Sequence, residues 1–216
     1  MLLFLTLSCK DNSVGPQPPP PEPGDLISDF PTRVGLTWTY AIHDSSFDDS
    51  GQLLLARTDS LVITVISRTI VSDTHHVAKW LYAFSDTTDT VTVDILPSVV
   101  TMTGAIRIYS SPYAETRDAE YMFPLSVGRS WGSTYYLGGD TSAVLEQDTM
   151  TVSGGTFPNA FHIWRNSYAI GPVSGILLNI WFVPKTGFVR SHQKENLLGP
   201  GNHRVALELQ RHNMAP

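Results

Sequence analysis

Leu36-Thr37-Trp38-Thr39-Tyr40-Ala41-Ile42 is the stretch on which the fold turns. Side chains on an extended chain switch faces at each step, so Leu36, Trp38, Tyr40 and Ile42 share one side while Thr37, Thr39 and Ala41 take the other. That is a strand packed on one face and wet on the other. The same period of two sets Val91, Val93 and Ile95 against Thr90, Thr92 and Asp94, and Val205, Leu207 and Leu209 against Arg204, Ala206, Glu208 and Gln210. Residues 61–66 and 175–183 are apolar on both faces and read as central strands. Turn signals separate the runs: Asp48-Asp49-Ser50-Gly51, Ser72-Asp73, Gly138-Gly139-Asp140, Gly154-Gly155 and Gly199-Pro200-Gly201-Asn202. No window carries a helical period over ten residues, and only 114–122 could make a helical turn. The reading is an all-β protein of antiparallel sheets, a sandwich or a half-barrel.

Working outward, the strand is introduced by Phe30-Pro31-Thr32-Arg33-Val34-Gly35-Leu36-Thr37-Trp38. This run recurs as Phe123-Pro124-Leu125-Ser126-Val127-Gly128-Arg129-Ser130-Trp131, with five of nine positions identical. Pro31 and Pro124 fix an entry angle, Gly35 and Gly128 permit a positive φ, and the turn delivers Trp38 and Trp131 onto a strand. Phe30 and Phe123 would cap a core, a structural role rather than a direct one in a site. Asp59-Ser60-Leu61-Val62-Ile63-Thr64-Val65 has an echo in Asp148-Thr149-Met150-Thr151-Val152, and His76-Val77-Ala78-Lys79-Trp80 a looser one in His162-Ile163-Trp164. The order is the same in both halves, which suggests a duplication of about 93 residues breaking near Arg117, with halves 29–117 and 118–216 forming one compact unit.

Upstream lies different chemistry. Residues 1–7 (MLLFLTL) form an apolar run ending at Ser8-Cys9. A bilayer span needs about 20 residues, so this reads as the hydrophobic part of a secretory signal, whose missing positive n-region leaves open a start further upstream. Leu5-Thr6-Leu7-Ser8-Cys9 resembles a bacterial lipobox, with Thr6 where an aliphatic residue is usual. Cys9 is the chain's single cysteine. Lipidation explains a lone thiol in an exported chain without calling for a disulfide, and several acyl chains on one residue give stable anchoring. Residues 10–28 make a linker whose VGPQPPPPEPG run favours a stiff polyproline spacer. About 190 residues then remain for the body, enough to bury a real core.

Phe-Pro-x-x-Val-Gly-x-x-Trp at the head of a domain resembles a group of uncharacterised bacterial exported lipoproteins. So does Gly154-Gly155-Thr156-Phe157-Pro158-Asn159-Ala160-Phe161-His162, followed by Trp181-Phe182-Val183-Pro184-Lys185-Thr186-Gly187-Phe188-Val189-Arg190. The likeness covers most of 29–195. It implies an exported, β-rich domain and carries no activity with it.

Composition narrows the partners. The formal net charge is −6 and charged residues are 16 % of the chain, with no block of Lys and Arg. Nucleic acid, which is held by clustered cations, is set aside, and an acidic surface gives no attraction to anionic lipid head groups. There is no phosphate-binding Gly-rich loop, no Gly-x-Ser-x-Gly elbow and no His-Glu-x-x-His, so no catalytic residue, cofactor or metal ligand is assigned. His75-His76 on a strand would point to opposite faces and could not share an ion. Asp44, Asp48, Asp49 and Gly51 read as a solvated acidic turn, Asp86, Asp89 and Asp94 as solubilising charges beside a sheet edge, and Glu115, Asp118 and Glu120 as a surface cluster. Trp80, Trp164 and Trp181 read as core; an exposed row of them would make a sugar-stacking platform, and a set lining a cavity an apolar pocket.

The expectation is a lipid-anchored cell-envelope protein, at the outer membrane or facing the periplasm, of binding or structural type. Its partners would be the membrane through Cys9 and an apolar small molecule or another envelope protein. The alternative is a secreted hydrolase of envelope or environmental polymer using dispersed carboxylates or histidines.

Overall fold

The computed structural model describes residues 29–104, 119–135, 138–169, 175–196 and 202–214. They form twelve strands: β1 (Thr37–Phe47), β2 (Leu53–Ser72), β3 (His75–Ala83), β4 (Thr88–Ile95), β5 (Val99–Thr103), β6 (Ala119–Met122), β7 (Ser130–Tyr135), β8 (Gly138–Val152), β9 (Gly155–Ala169), β10 (Gly175–Val183), β11 (Gly187–Asn196) and β12 (Asn202–His212). All lie in one antiparallel sheet ordered β6-β5-β4-β3-β2-β1-β12-β11-β10-β9-β8-β7. The all-β reading holds, as one sheet rather than two.

Strand order forces the sheet to curl. β6 and β7 are its two edges, yet the chain passes directly from Met122 to Ser130. That link can span at most about 28 Å, whereas the edges of a flat sheet of twelve strands would stand about 50 Å apart. The sheet therefore bends into a nearly closed barrel. Within the sheet, β1 and β12 are joined by a ladder from Trp38↔His212 to Phe47↔Asn202. β6 and β7 share no ladder among the described residues; the Trp131 indole N–H instead donates to the Glu120 carbonyl at 2.9 Å.

The barrel has two unlike ends. At one, the chain enters at Asp29, whose carbonyl accepts from the Lys185 N–H at 2.6 Å. Phe30 is 1 % exposed and stacks on Trp80 of β3 at 5.5 Å and on Phe182 of β10 at 5.7 Å. One ring thus bridges walls far apart in sheet order. Phe123 meets Phe30 edge-on at 6.1 Å, and Trp38 stacks on Trp80 at 5.1 Å. Twelve strands enclose more room than eight, which side chains alone just fill; the inserted Phe30 segment fills the difference here. The β8–β9 hairpin adds to this closed end. β11 pairs with β12 only as far as Arg190↔Glu208, and the hairpin tip takes the next place, with Gly154 N–H donating to Leu209 at 2.8 Å and Phe157 against His212. We term this the plug end and the opposite one the mouth.

The two motif copies open β1 and β7 and make the same turn. Gly35 (φ +87) and Gly128 (φ +85) both sit in the left-handed region. Gly35 N–H donates to Val65 and Val65 N–H to Leu36; Gly128 N–H donates to Val144 and Val144 N–H to Arg129, all at 2.9 Å. In these two turns Val144 takes the place that Val65 takes, whereas the sequence echo sets Val65 beside Val152. A bulge follows each partner, at Ile66 and at Leu145. The break proposed near Arg117 lies outside the described residues, as do Cys9 and the linker. Of the suggested helical turn at 114–122, the described part is strand β6.

Candidate functional site

On four strands, β1, β4, β8 and β12, the inward face is apolar toward the plug and polar toward the mouth. On β1 the series Trp38, Tyr40, Ile42 continues to Asp44, which is 3 % exposed. Val205, Leu207 and Leu209 on β12 run back to His203; Val91, Val93 and Ile95 on β4 run back to Asp89; Val144 on β8 runs back to Ser142 and Asp140. The residues were findable: extending each apolar face by one more step of two lands on them. Asp44 therefore belongs to a strand interior rather than an acidic turn, and Asp89 faces the lumen rather than the sheet surface. Asp48 stays in the turn as read, its carboxylate accepting from Ser50 and the Gln52 N–H, which lowers its pKa.

Two groupings form at the mouth. Beside the β1/β12 ladder, Asp44 accepts from Arg57 Nε at 2.6 Å on one carboxylate oxygen and from His203 Nε2 on the other. A buried carboxylate is costly unless paired, and this one is paired twice. On the β6/β7 side, Asp140 accepts from Arg165 at 3.1 Å through Oδ2, with both side chains largely buried. Its Oδ1, and Oδ2 of Asp89, are shut from solvent with no hydrogen-bond partner among the described residues. Below them the buried tyrosines Tyr40, Tyr82 and Tyr121 have pKa values raised by burial, with Arg165 opposing the shift at Tyr121. Tyr40 donates to the Phe188 carbonyl at 2.7 Å.

The other candidates are dispersed. His75 faces outward to Asp94 at 2.5 Å, while His76 turns inward to Arg68; burial first, and then Arg68, lower the His76 pKa. No group of three metal-ligating side chains occurs among the described residues. Glu115 and Asp118 lie outside them. Trp80 is core, but Trp164 and Trp181 are not interior. They alternate with Ile163, Ile180 and Phe182, which take the inward face, and so both point outward. Apolar neighbours on both faces of β10 concealed this in the sequence. Outside, one cross-strand row runs Glu146, His162, Trp181, Arg190, Glu208. His162 stacks on Trp181 at 4.6 Å, the Arg190 guanidinium lies 5.7 Å from that ring, and His192 meets it edge-on. The platform that could stack a sugar is occupied by the protein itself.

No protein-family profile and no curated protein matches the chain in sequence. Among solved structures, it is similar to a Bacteroides fragilis protein described as exported and of YmcC-like fold, with TM-score 0.53 and 15 % identity over 86 % of this chain and 99 % of that one. A Parabacteroides distasonis protein described as a lipoprotein aligns with TM-score 0.46 and 12 % identity over 85 % and 97 %. The chain has the YmcC-like fold.

Proposed function

We propose that this protein is a lipid-anchored component of the bacterial envelope, tethered at Cys9, whose barrel takes up a small amphipathic molecule at its mouth. The carrying observation is the pair of inward carboxylate oxygens, Asp89 Oδ2 and Asp140 Oδ1, that are buried without partners among the described residues. An unpaired buried acceptor costs about 1–3 kcal/mol, and a ligand bearing an amine or hydroxyl head removes that cost. Half-buried Leu178 lies directly across from Arg165 in the β9–β10 register and offers apolar contact beside that head. Export is supported by the apolar run before Cys9 and by the likeness to a fold relative described as exported.

Native mass spectrometry of the full-length protein, extracted from its own membranes, tests the ligand. A co-purifying small molecule is expected, and it should be lost from Asp89→Asn and Asp140→Asn. A bare wild-type mass, with thermal stability unmoved by envelope lipid extract, would contradict the reading. The anchor is tested separately: Cys9→Ser should leave the carbonate-washed membrane pellet, and retention there would sink the lipidation.

A further inference from the structure

We infer that the plug end of the barrel is a membrane-contact face, so that the protein stands with its mouth turned away from the bilayer. The inference rests on Cys9 as the anchored residue.

Of the ten exposed large hydrophobic side chains among the described residues, all but Leu53, Leu54 and Leu55 lie at or toward the plug end. They are not scattered. Each motif turn presents a bare valine, Val34 at 54 % and Val127 at 56 % exposure. The hydrogen bonds that pin each turn place it beside a bulge with its own exposed residue, Ile66 or Leu145. Ile70 and Val71 project on the β2–β3 hairpin beyond the barrel wall. Solvent-facing apolar clusters of this kind mark contact surfaces.

The occupant follows from where the chain comes in. Asp29, the described residue nearest Cys9 in sequence, is fixed at this same end by Lys185. The chain from Cys9 to Asp29 can reach about 70 Å extended, which is long enough for either end of the barrel to meet the lipid, and the apolar face decides which does. Exposed Arg33, Lys185 and Arg211 at this end stand with exposed Asp73 and Asp148, so the apolar side chains and not charge carry the contact. The leucines at the mouth sit on the β1–β2 hairpin, at the far end from the tether.

The test couples the full chain through Cys9 to maleimide-lipid in vesicles of phosphatidylethanolamine and phosphatidylglycerol, and follows amide hydrogen exchange. Exchange should slow about fivefold or more at 33–36, 66–74 and 126–129 relative to the uncoupled chain, and stay unchanged at 48–55. Val34→Asp with Val127→Asp, both solvent-exposed, should keep the melting temperature and abolish the slowing. No slowing, slowing at 48–55 instead, or slowing that scales with protein density rather than lipid (a second copy as the occupant) would overturn the inference. Because the tether is made chemically, this outcome does not depend on whether the cell acylates Cys9; the Cys9→Ser fractionation reads that alone.

Discussion

The barrel wall is joined twice, and the two junctions differ. At β1/β12 a ladder runs the length of β1, and at its mouth the Asp44 carboxylate is paired on both oxygens, by Arg57 and His203. At β6/β7 two short strands face one another without a described ladder, one indole bonds one carbonyl, and the inward carboxylates of Asp140 on β8 and Asp89 on β4 each have a buried oxygen with no partner among the described residues. Strand order makes the junctions topological counterparts, each setting the first strand of one six-strand run against the last strand of the other. Buried polar atoms without a partner among the described residues occur beside both, His212 Nδ1 on β12 as well as the two carboxylates, so the difference lies in the ladder, and the proposed binding side is the one without it.

Phe30→Ala should have the largest effect, since this ring supports both sides of the barrel. Emptying a fully buried phenylalanine site costs about 4 kcal/mol, and a drop of about 8–16 °C in melting temperature is expected. A smaller loss than from Phe123→Ala would break the view of Phe30 as the central wedge. Next, Asp44→Ala should cost about 3 kcal/mol by leaving His203 and Arg57 facing an empty site. Asp89→Leu should raise stability in ligand-free protein by about 1 kcal/mol. Chemical denaturation distinguishes them, and equal losses at both positions would erase the contrast between the junctions.

Trp131→Phe should cost about 1 kcal/mol and speed hydrogen exchange in β6 and β7. Trp38→Phe removes the bond from the indole to the Thr186 carbonyl at 2.8 Å and should leave β6 and β7 exchange untouched. The smallest effect is acidic. Burial, then Arg68 at His76 and Arg190 at His192, hold both imidazoles below their ordinary value. The unfolded chain therefore binds more protons as pH falls below about 6.5, and stability should decline there until the folded-state values are passed. His76→Gln should flatten melting temperature against pH, and an unaltered slope would remove His76 from the account.

Much of the wall was legible from residues 36–42, because alternation is a local property of the chain. The matching turns at Gly35 and Gly128 could likewise be anticipated from the motif. Closure could not. It depends on β6 and β7 being sheet edges, a long-range fact with no signature in either strand. Asp44, Asp89, Asp140 and His203 lie at the ends of apolar alternations, where a charge reads as the strand leaving the core. In a wide barrel it instead marks the strand continuing along a polar lumen. Trp181 reads as core in the sequence for a related reason: on β10 the inward and outward faces are both apolar in composition, so only the position of the sheet decides which side is core.

The wall is zipped at one junction and only latched at the other. Native-state hydrogen exchange of the ligand-free protein, resolved to single amides, tests it most directly. Amides of β1 and β12 should exchange only through global unfolding. Those of Tyr121, Met122 and Ser130 to Trp131 should exchange at least a hundredfold faster, through local opening. Equal protection at both junctions would mean that the barrel is evenly sealed, and the assignment of a binding side would fall with it.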